Sequence, residues 1–174
     1  MIMIHNFNQF INENSGSHVP YVFLDIDGVL IPYDPSKEVD YHKFFDDDRK
    51  WSKTAIEEIE ALVNLYSARL VLISSYIRTK TMDVIKDRLK VEGFGGEIYD
   101  ELPNVYGEKN RFENVLKYVK DNRIKTYVVI DDHKHDLKKA SGMKSHWVNV
   151  KSEDGLRKKD VRKIEKILNK KSHH

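Results

Sequence analysis

Tyr21-Val22-Phe23-Leu24-Asp25-Ile26-Asp27-Gly28-Val29-Leu30 is the stretch on which the fold turns. Tyr21 to Asp25 is a continuous apolar run ending in acid, the pattern of a strand buried on both faces of a sheet. Arg69 to Ile73 repeats the pattern and ends in Ser74-Ser75, and Thr126 to Ile130 repeats it again and ends in Asp131-Asp132. A further strand is expected over His146 to Val150, and Glu97 to Tyr99 reads as a short strand or a loop. Helical spacing fills the intervals. Ser52 is placed to cap a helix carrying Ile56, Ile59, Leu62, Val63 and Tyr66. Met82, Ile85 and Leu89 mark another, stopped near Gly93. Phe112, Val115, Leu116 and Val119 mark one from about Lys109 to Asn122, Asp136 to Ala140 a short one, and Asp154 to Leu168 a closing one.

Alternating β and α segments predict an α/β fold of three layers, a Rossmann-like parallel sheet between two layers of helices. In such sheets ligands bind at the carboxyl ends of the strands. Three separate strands deliver polar clusters to that one edge: Asp25/Asp27, Ser74/Ser75 and Asp131/Asp132.

The rest of the composition narrows the chemistry. The chain has 174 residues, suited to one domain with one substantial core, and is 40% hydrophobic and 33% charged. It has no cysteine, which excludes disulfides and thiolate metal sites and fits a reducing cytoplasm. Residues 1–18 are read as an N-terminal extension, with Asn6 to Asn14 a short amphipathic helix before a Ser-Gly-Ser linker. Its apolar residues form no continuous run, so it is neither a signal peptide nor a membrane span. Residues 19–174 make up the domain. The net charge of +2 is uneven: Lys151 to His174 carries nine Lys/Arg and four acids. A basic helix attracts a phosphate backbone, while the plainer expectation for this one is a solvated surface.

Asp25 and Asp27 stand two residues apart at a strand end, where two carboxylates repel each other and any anionic substrate. A divalent cation removes both difficulties. Magnesium, which prefers hard oxygen ligands and keeps several waters, is the expected cofactor, with Asp132 of the third strand supplying another carboxylate. One aspartate is then free to attack phosphorus and the other to move a proton. Gly28 lets the chain turn sharply and approach the ligand.

Asp25-Ile26-Asp27-Gly28-Val29-Leu30 resembles the first motif of the haloacid dehalogenase (HAD) superfamily of phosphohydrolases. The resemblance implies that Asp25 is the nucleophile, forming an aspartyl-phosphate, and that Asp27 is the general acid/base, with its backbone carbonyl on magnesium. Leu70-Val71-Leu72-Ile73-Ser74 is similar to the second motif, whose Ser holds the phosphoryl group. The third motif is a Lys or Arg at a helix start; Lys109 is the first choice and Arg111 the second. Val128-Val129-Ile130-Asp131-Asp132 is similar to the fourth, with Asp132 the better direct ligand and Asp136 placed to hold a metal-bound water. Ser74-Ser75-Tyr76-Ile77-Arg78 further resembles the Ser-Ser-x-Trp-Arg pattern of a small capless branch, that of the HAD domain in Swiss Army Knife RNA repair proteins. Ser75, Arg78 and Arg111 are accordingly expected to bind substrate. The stretch Gly155-Leu156, Asp160-Val161 and Ile167-Leu168 is similar to that branch's closing helix. The chain departs from it at Ile77 and at Lys109-Asn110-Arg111, where the branch has Trp and often Arg-Gly-Glu.

Neither place where this superfamily inserts a cap has room for an independently folded one here. Residues of about 30–50, with Pro32, Tyr33, Pro35, Tyr41, Phe44 and Phe45, are read as a small flap. An open site suits a large phosphorylated substrate, and the expected partner is a nucleic-acid end or a nucleotide, with no membrane. The alternatives are a small-molecule phosphatase of the 5′-nucleotidase kind, and a non-catalytic nucleic-acid-binding module with a vestigial site. Asp46-Asp47-Asp48, and His133 with His135, read as solvated loops, and Trp51 and Trp147 as packing residues.

Overall fold

The computed structural model describes residues 19–34, 50–74, 81–102, 111–134 and 140–170. Among the described residues there are five strands and four α-helices: β1 Tyr21–Leu24, α1 Lys53–Tyr66, β2 Arg69–Leu72, α2 Met82–Val91, β3 Ile98–Glu101, α3 Arg111–Asp121, β4 Tyr127–Asp131, β5 Trp147–Asn149 and α4 Lys158–Leu168. A short 3-10 turn, Ser141–Ser145, precedes β5. The strands are all parallel and lie in the order β3-β2-β1-β4-β5. The chain therefore builds outward from β1 to β3 and then returns to β1's other side with β4. The switch point lies between β1 and β4, the place where open α/β sheets bind ligands.

Alternation along each strand divides the core between two faces. Val22, Leu24, Leu70, Leu72, Val128 and Ile130 point to the face covered by Ile56, Ile59 and Leu62 of α1, Ile85 and Leu89 of α2, and Ile164 and Leu168 of α4. Tyr21, Phe23, Val71, Ile73, Tyr127 and Val129 point to the other, under Phe112 and Val115 of α3 and Met143 of the 3-10 turn. Covering on both faces is why β1 and β4 read as unbroken apolar runs, and both are buried throughout.

The α/β/α expectation holds. Ser52 caps α1 as expected, its hydroxyl accepting from the Ala55 amide at 3.2 Å. The ambiguous segment after Gly96 is a strand, β3, displaced by a residue or two from Glu97–Tyr99. It is an edge strand, and only Ile98 of its four residues is fully buried. The closing helix needs a correction: it begins at Lys158, not Asp154. Residues 152–154 form a turn, and Gly155 after it lies in the left-handed region at φ +66. Only residues 92–97 separate α2 from β3, and 25–52 separate β1 from α1, too few for a large cap. Among the described residues no helix is long and apolar enough to cross a membrane. Residues 1–18, most of the flap (35–49, with Asp46 to Asp48), Ser75, Arg78, Lys109, His135, Asp136 and most of the short helix over Asp136–Ala140 lie outside the described residues.

Candidate active site

β1 ends one residue before Asp25, and β4 ends on Asp131. The two strands pair in register, Leu24 beside Ile130, so their carboxylates emerge side by side at the switch point. Both are buried, Asp25 at 3% exposure and Asp131 at 0%. Arg111, the first residue of α3, reaches between them. Its Nη1 donates to Asp25 Oδ2 and, at 2.6 Å, to Asp131 Oδ2. The other oxygens are held by backbone: Asp25 Oδ1 accepts from the Ile26 amide at 2.8 Å, and Asp131 Oδ1 from the His133 amide at 2.7 Å. The Ser74 hydroxyl, fully buried at the end of the β2 segment, also hydrogen-bonds the Asp25 carboxylate.

After Asp25 the chain makes a single tight turn. Val29, Leu30 and Ile31 all donate to the Ile26 carbonyl, and Gly28 donates to Ile31 at 2.8 Å. This turn carries Asp27, half-buried, to the rim. Gly28 sits at φ +72, and a Cβ there would lie 2.1 Å from Asp132 Oδ2. Glycine is thus required twice, by its backbone angle and by the carboxylate packed on it. Asp25, Asp131 and Asp132 each offer an oxygen within 4.8 Å of the others.

The electrostatics follow from this crowding. Burial, with Asp131 adding to it, pushes the Asp25 carboxyl up to about 7, against the opposing pull of Arg111 and the Ser74 hydrogen bond. Burial and Asp131 likewise raise Asp132. For Arg111, burial works against the charge, but Asp25 and Asp131 outweigh it and hold the guanidinium firmly protonated. Two of the three carboxylates hydrogen-bond one guanidinium and the third stands beside them, so among the described residues carboxylates outnumber the cation they hold. An all-oxygen, electron-rich donor set of this kind fits a hard divalent cation.

Of the residues expected from the sequence, the fold brings together Asp25, Asp131, Asp132, Ser74 and Arg111, with Asp27 on the adjoining turn. Nothing in the sequence marks the amides of Ile26 and His133, because a backbone donor leaves no side-chain signature. Trp147 packs on Phe112 as expected, with ring centroids 5.5 Å apart. It also does more: its indole N–H donates to the Asp131 carbonyl at 3.2 Å, steadying the strand end beneath the site.

Residues 21–161 match a family described as the HAD domain in Swiss Army Knife RNA repair proteins. The match runs from the first residue of β1 into α4 and so takes in the whole cluster. No curated protein and no solved structure matches the chain.

Proposed function

The chain belongs to the family of HAD domains in Swiss Army Knife RNA repair proteins, and from that premise we propose that it is a magnesium-dependent phosphomonoester hydrolase acting on nucleic-acid ends. The observation that carries the reading is the shared guanidinium: two buried carboxylates from adjacent strands, held by Arg111, with Asp132 beside them. A simple structural ion pair joins one cation to one carboxylate, whereas here one guanidinium joins two, with a third carboxylate beside them at the switch point of the sheet.

In this reading Asp25 attacks phosphorus. A phosphorus–oxygen bond forms to its carboxylate, the bond to the leaving oxygen breaks, and Asp27 supplies that oxygen with a proton. Water then adds to the phosphorus of the aspartyl-phosphate and gives its proton to Asp27, which releases phosphate and restores Asp25. Ser74 and Arg111 hold phosphoryl oxygens, and Arg111 keeps Asp25 in place between turnovers. Lys109, two residues before Arg111, remains a second candidate for the phosphoryl contact. Magnesium would be held by Asp25, Asp132 and the Asp27 carbonyl, with Asp131 behind them and Asp136 through water; it would offset the charge of both carboxylates and phosphate. Ser75 and Arg78 are proposed to contact the substrate beyond its phosphate. The lack of a large cap favours a polymer end over a small metabolite, because an open site admits a long substrate.

Phosphate release from an aryl phosphate, from mononucleotides and from end-phosphorylated oligonucleotides, with magnesium and with EDTA, tests both levels. The reading requires metal-dependent release that is faster from oligonucleotides than from mononucleotides. Release that is equal or faster from mononucleotides returns the enzyme to the small-molecule class. Oligonucleotide binding with no release from any substrate points to a vestigial site.

A further inference from the structure

Helix α4 divides its residues sharply. At about 100° per residue, Lys158, Lys159, Arg162, Lys163 and Lys166, with Lys170 just past the helix end, fall within an arc of about 140°. Ile164 and Leu168 lie on the opposite side, buried against the sheet. The helix's two acids, Asp160 and Glu165, stand at the borders of the basic arc. Lys159 and Lys163 pair with Asp154 and Asp160. Among the described residues, no ion pair involves Lys158, Arg162, Lys166 or Lys170. These four recur every fourth residue, so they form a ridge of charges about 6 Å apart along the helix.

The ridge begins at the rim of the site. The turn before α4 is stitched to the turn that carries Asp27: the Leu156 amide donates to the Val29 carbonyl at 2.9 Å, and the Tyr33 amide to the Ser152 carbonyl at 2.8 Å. A Cβ on Gly155 would lie 2.9 Å from the Val29 carbonyl oxygen and 3.0 Å from Pro32. The two turns thus pack backbone against backbone, with no room for a side chain between them.

We propose that Lys158, Arg162, Lys166 and Lys170 form a track for the sugar-phosphate backbone of a single-stranded nucleic acid whose phosphorylated end lies at Asp25. The proposal deepens the functional reading above and rests on it for the end, though not for the track. Lys158 and Arg162 share a shallow groove with Glu58 and Glu165, but regular cations with no ion pair among the described residues suit a repeating polyanion. An anionic membrane is the less fitting partner, since the helix's apolar face is occupied by the sheet and cannot enter lipid.

The test uses the full chain carrying Asp25→Asn, so binding is read without turnover and a site that hydrolyses nothing still leaves the track measurable. Binding of end-phosphorylated single-stranded RNA and DNA of about ten nucleotides is followed by fluorescence anisotropy across a salt series. The fourfold variant K158Q/R162Q/K166Q/K170Q is compared with K53Q/K90Q/K120Q/K125Q, which removes equal charge from exposed positions elsewhere. Thermal melts confirm folding of both. At about 0.7 per phosphate contact on single strands, the ridge variant is expected to lose about 3 from the slope of log K against log salt, and to bind roughly tenfold or more weaker at low salt. The control is expected to lose much less. An unchanged slope in the ridge variant, an equal loss in the control, or binding to phosphatidylserine vesicles but not to the oligonucleotides would each overturn the proposal. If the ridge variant fails to fold, the same comparison is made with R162Q and K166Q singly, each expected to lose about 0.7.

Discussion

Two arginines meet the sheet at opposite edges, and their company differs. Arg111 stands at the carboxyl ends of β1 and β4, buried, with one Nη hydrogen-bonded to two carboxylates. Arg69 begins β2 at the amino edge, half-buried. Its Nη1 donates to the Tyr21 hydroxyl at 2.7 Å, and its guanidinium lies 4.4 Å from the Tyr99 ring centre and 5.6 Å from that of Tyr21. Neutral, polarisable rings satisfy one cation without adding charge, and that is an arrangement for stability. Two buried carboxylates hydrogen-bond the other, with a third beside them, and that is an arrangement suited to taking up a proton or a cation. The same residue type thus separates the structural end of the sheet from the chemical one.

The largest effect should come from the chemical end. Asp25→Asn is expected to reduce turnover of an aryl phosphate by on the order of a thousandfold or more, as removal of an attacking group does. The melting temperature should change little at pH 5.5, where the Asp25 carboxyl holds its proton and Asn matches it in size and charge. Activity retained in this variant would remove Asp25 from the role of nucleophile and leave the cluster a structural one.

The arginines themselves give the next test. Arg111→Met would leave Asp25 and Asp131 facing each other with no cation between them. A cost of about 3–5 kcal/mol is expected from breaking such a buried pairing, measured by urea denaturation at pH 8 without metal, together with loss of turnover. Arg69→Met should cost about 1 kcal/mol and leave turnover as it was. Equal costs at the two edges would erase the distinction between them.

How far this contrast could be read from the chain alone differs from residue to residue. The carboxylates were plain, because strands buried on both faces are written as apolar runs and an acid at the end of such a run stands out. β3 was faint because it is an edge strand, Ile98-Tyr99-Asp100-Glu101, whose pairing with β2 shifts register between Leu70 and Val71. The start of α4 is hidden in the sequence because helical spacing continues through Asp154 to Arg157 while Gly155 turns the backbone out of the helix. Arg111 could not be separated from Lys109 by periodicity. One lies four residues before Val115 and the other three before Phe112, and both spacings point toward the core. Arg111 is the one the described structure places between Asp25 and Asp131, a contact across 86 residues that no local pattern contains.

Gly28 offers a finer probe of the same end. Gly28→Ala sets a methyl group where Asp132 Oδ2 now lies and forces an alanine into the left-handed region. The backbone penalty is about 1–2 kcal/mol. Displacement of Asp132 should weaken magnesium binding roughly 10–100-fold, the range seen when groups supporting a metal site are moved. Isothermal titration with magnesium measures this directly. An affinity unchanged by the substitution would take Asp132 out of the metal site.

The smallest effect is a matter of protons. Burial raises the Asp25 carboxyl to about 7, so the folded protein holds that proton more tightly than the unfolded chain, whose carboxyl titrates near 4. The stabilisation this contributes is complete below the unfolded value and is lost as pH rises through the folded one. Without metal, the melting temperature should therefore fall by a few degrees between pH 5.5 and 8, and Asp25→Asn should flatten the fall. Added magnesium should raise the melting temperature more at pH 8 than at pH 5.5, because cation and proton compete for the same carboxylate. Arg69→Met should leave this pH dependence intact, since no carboxylate titration at the site passes through the tyrosines of the amino edge. A melting curve equally pH-dependent with and without the Asp25 carboxyl would mean that the titrating group lies elsewhere. The crowded carboxylates at the switch point would then no longer argue for a cation there.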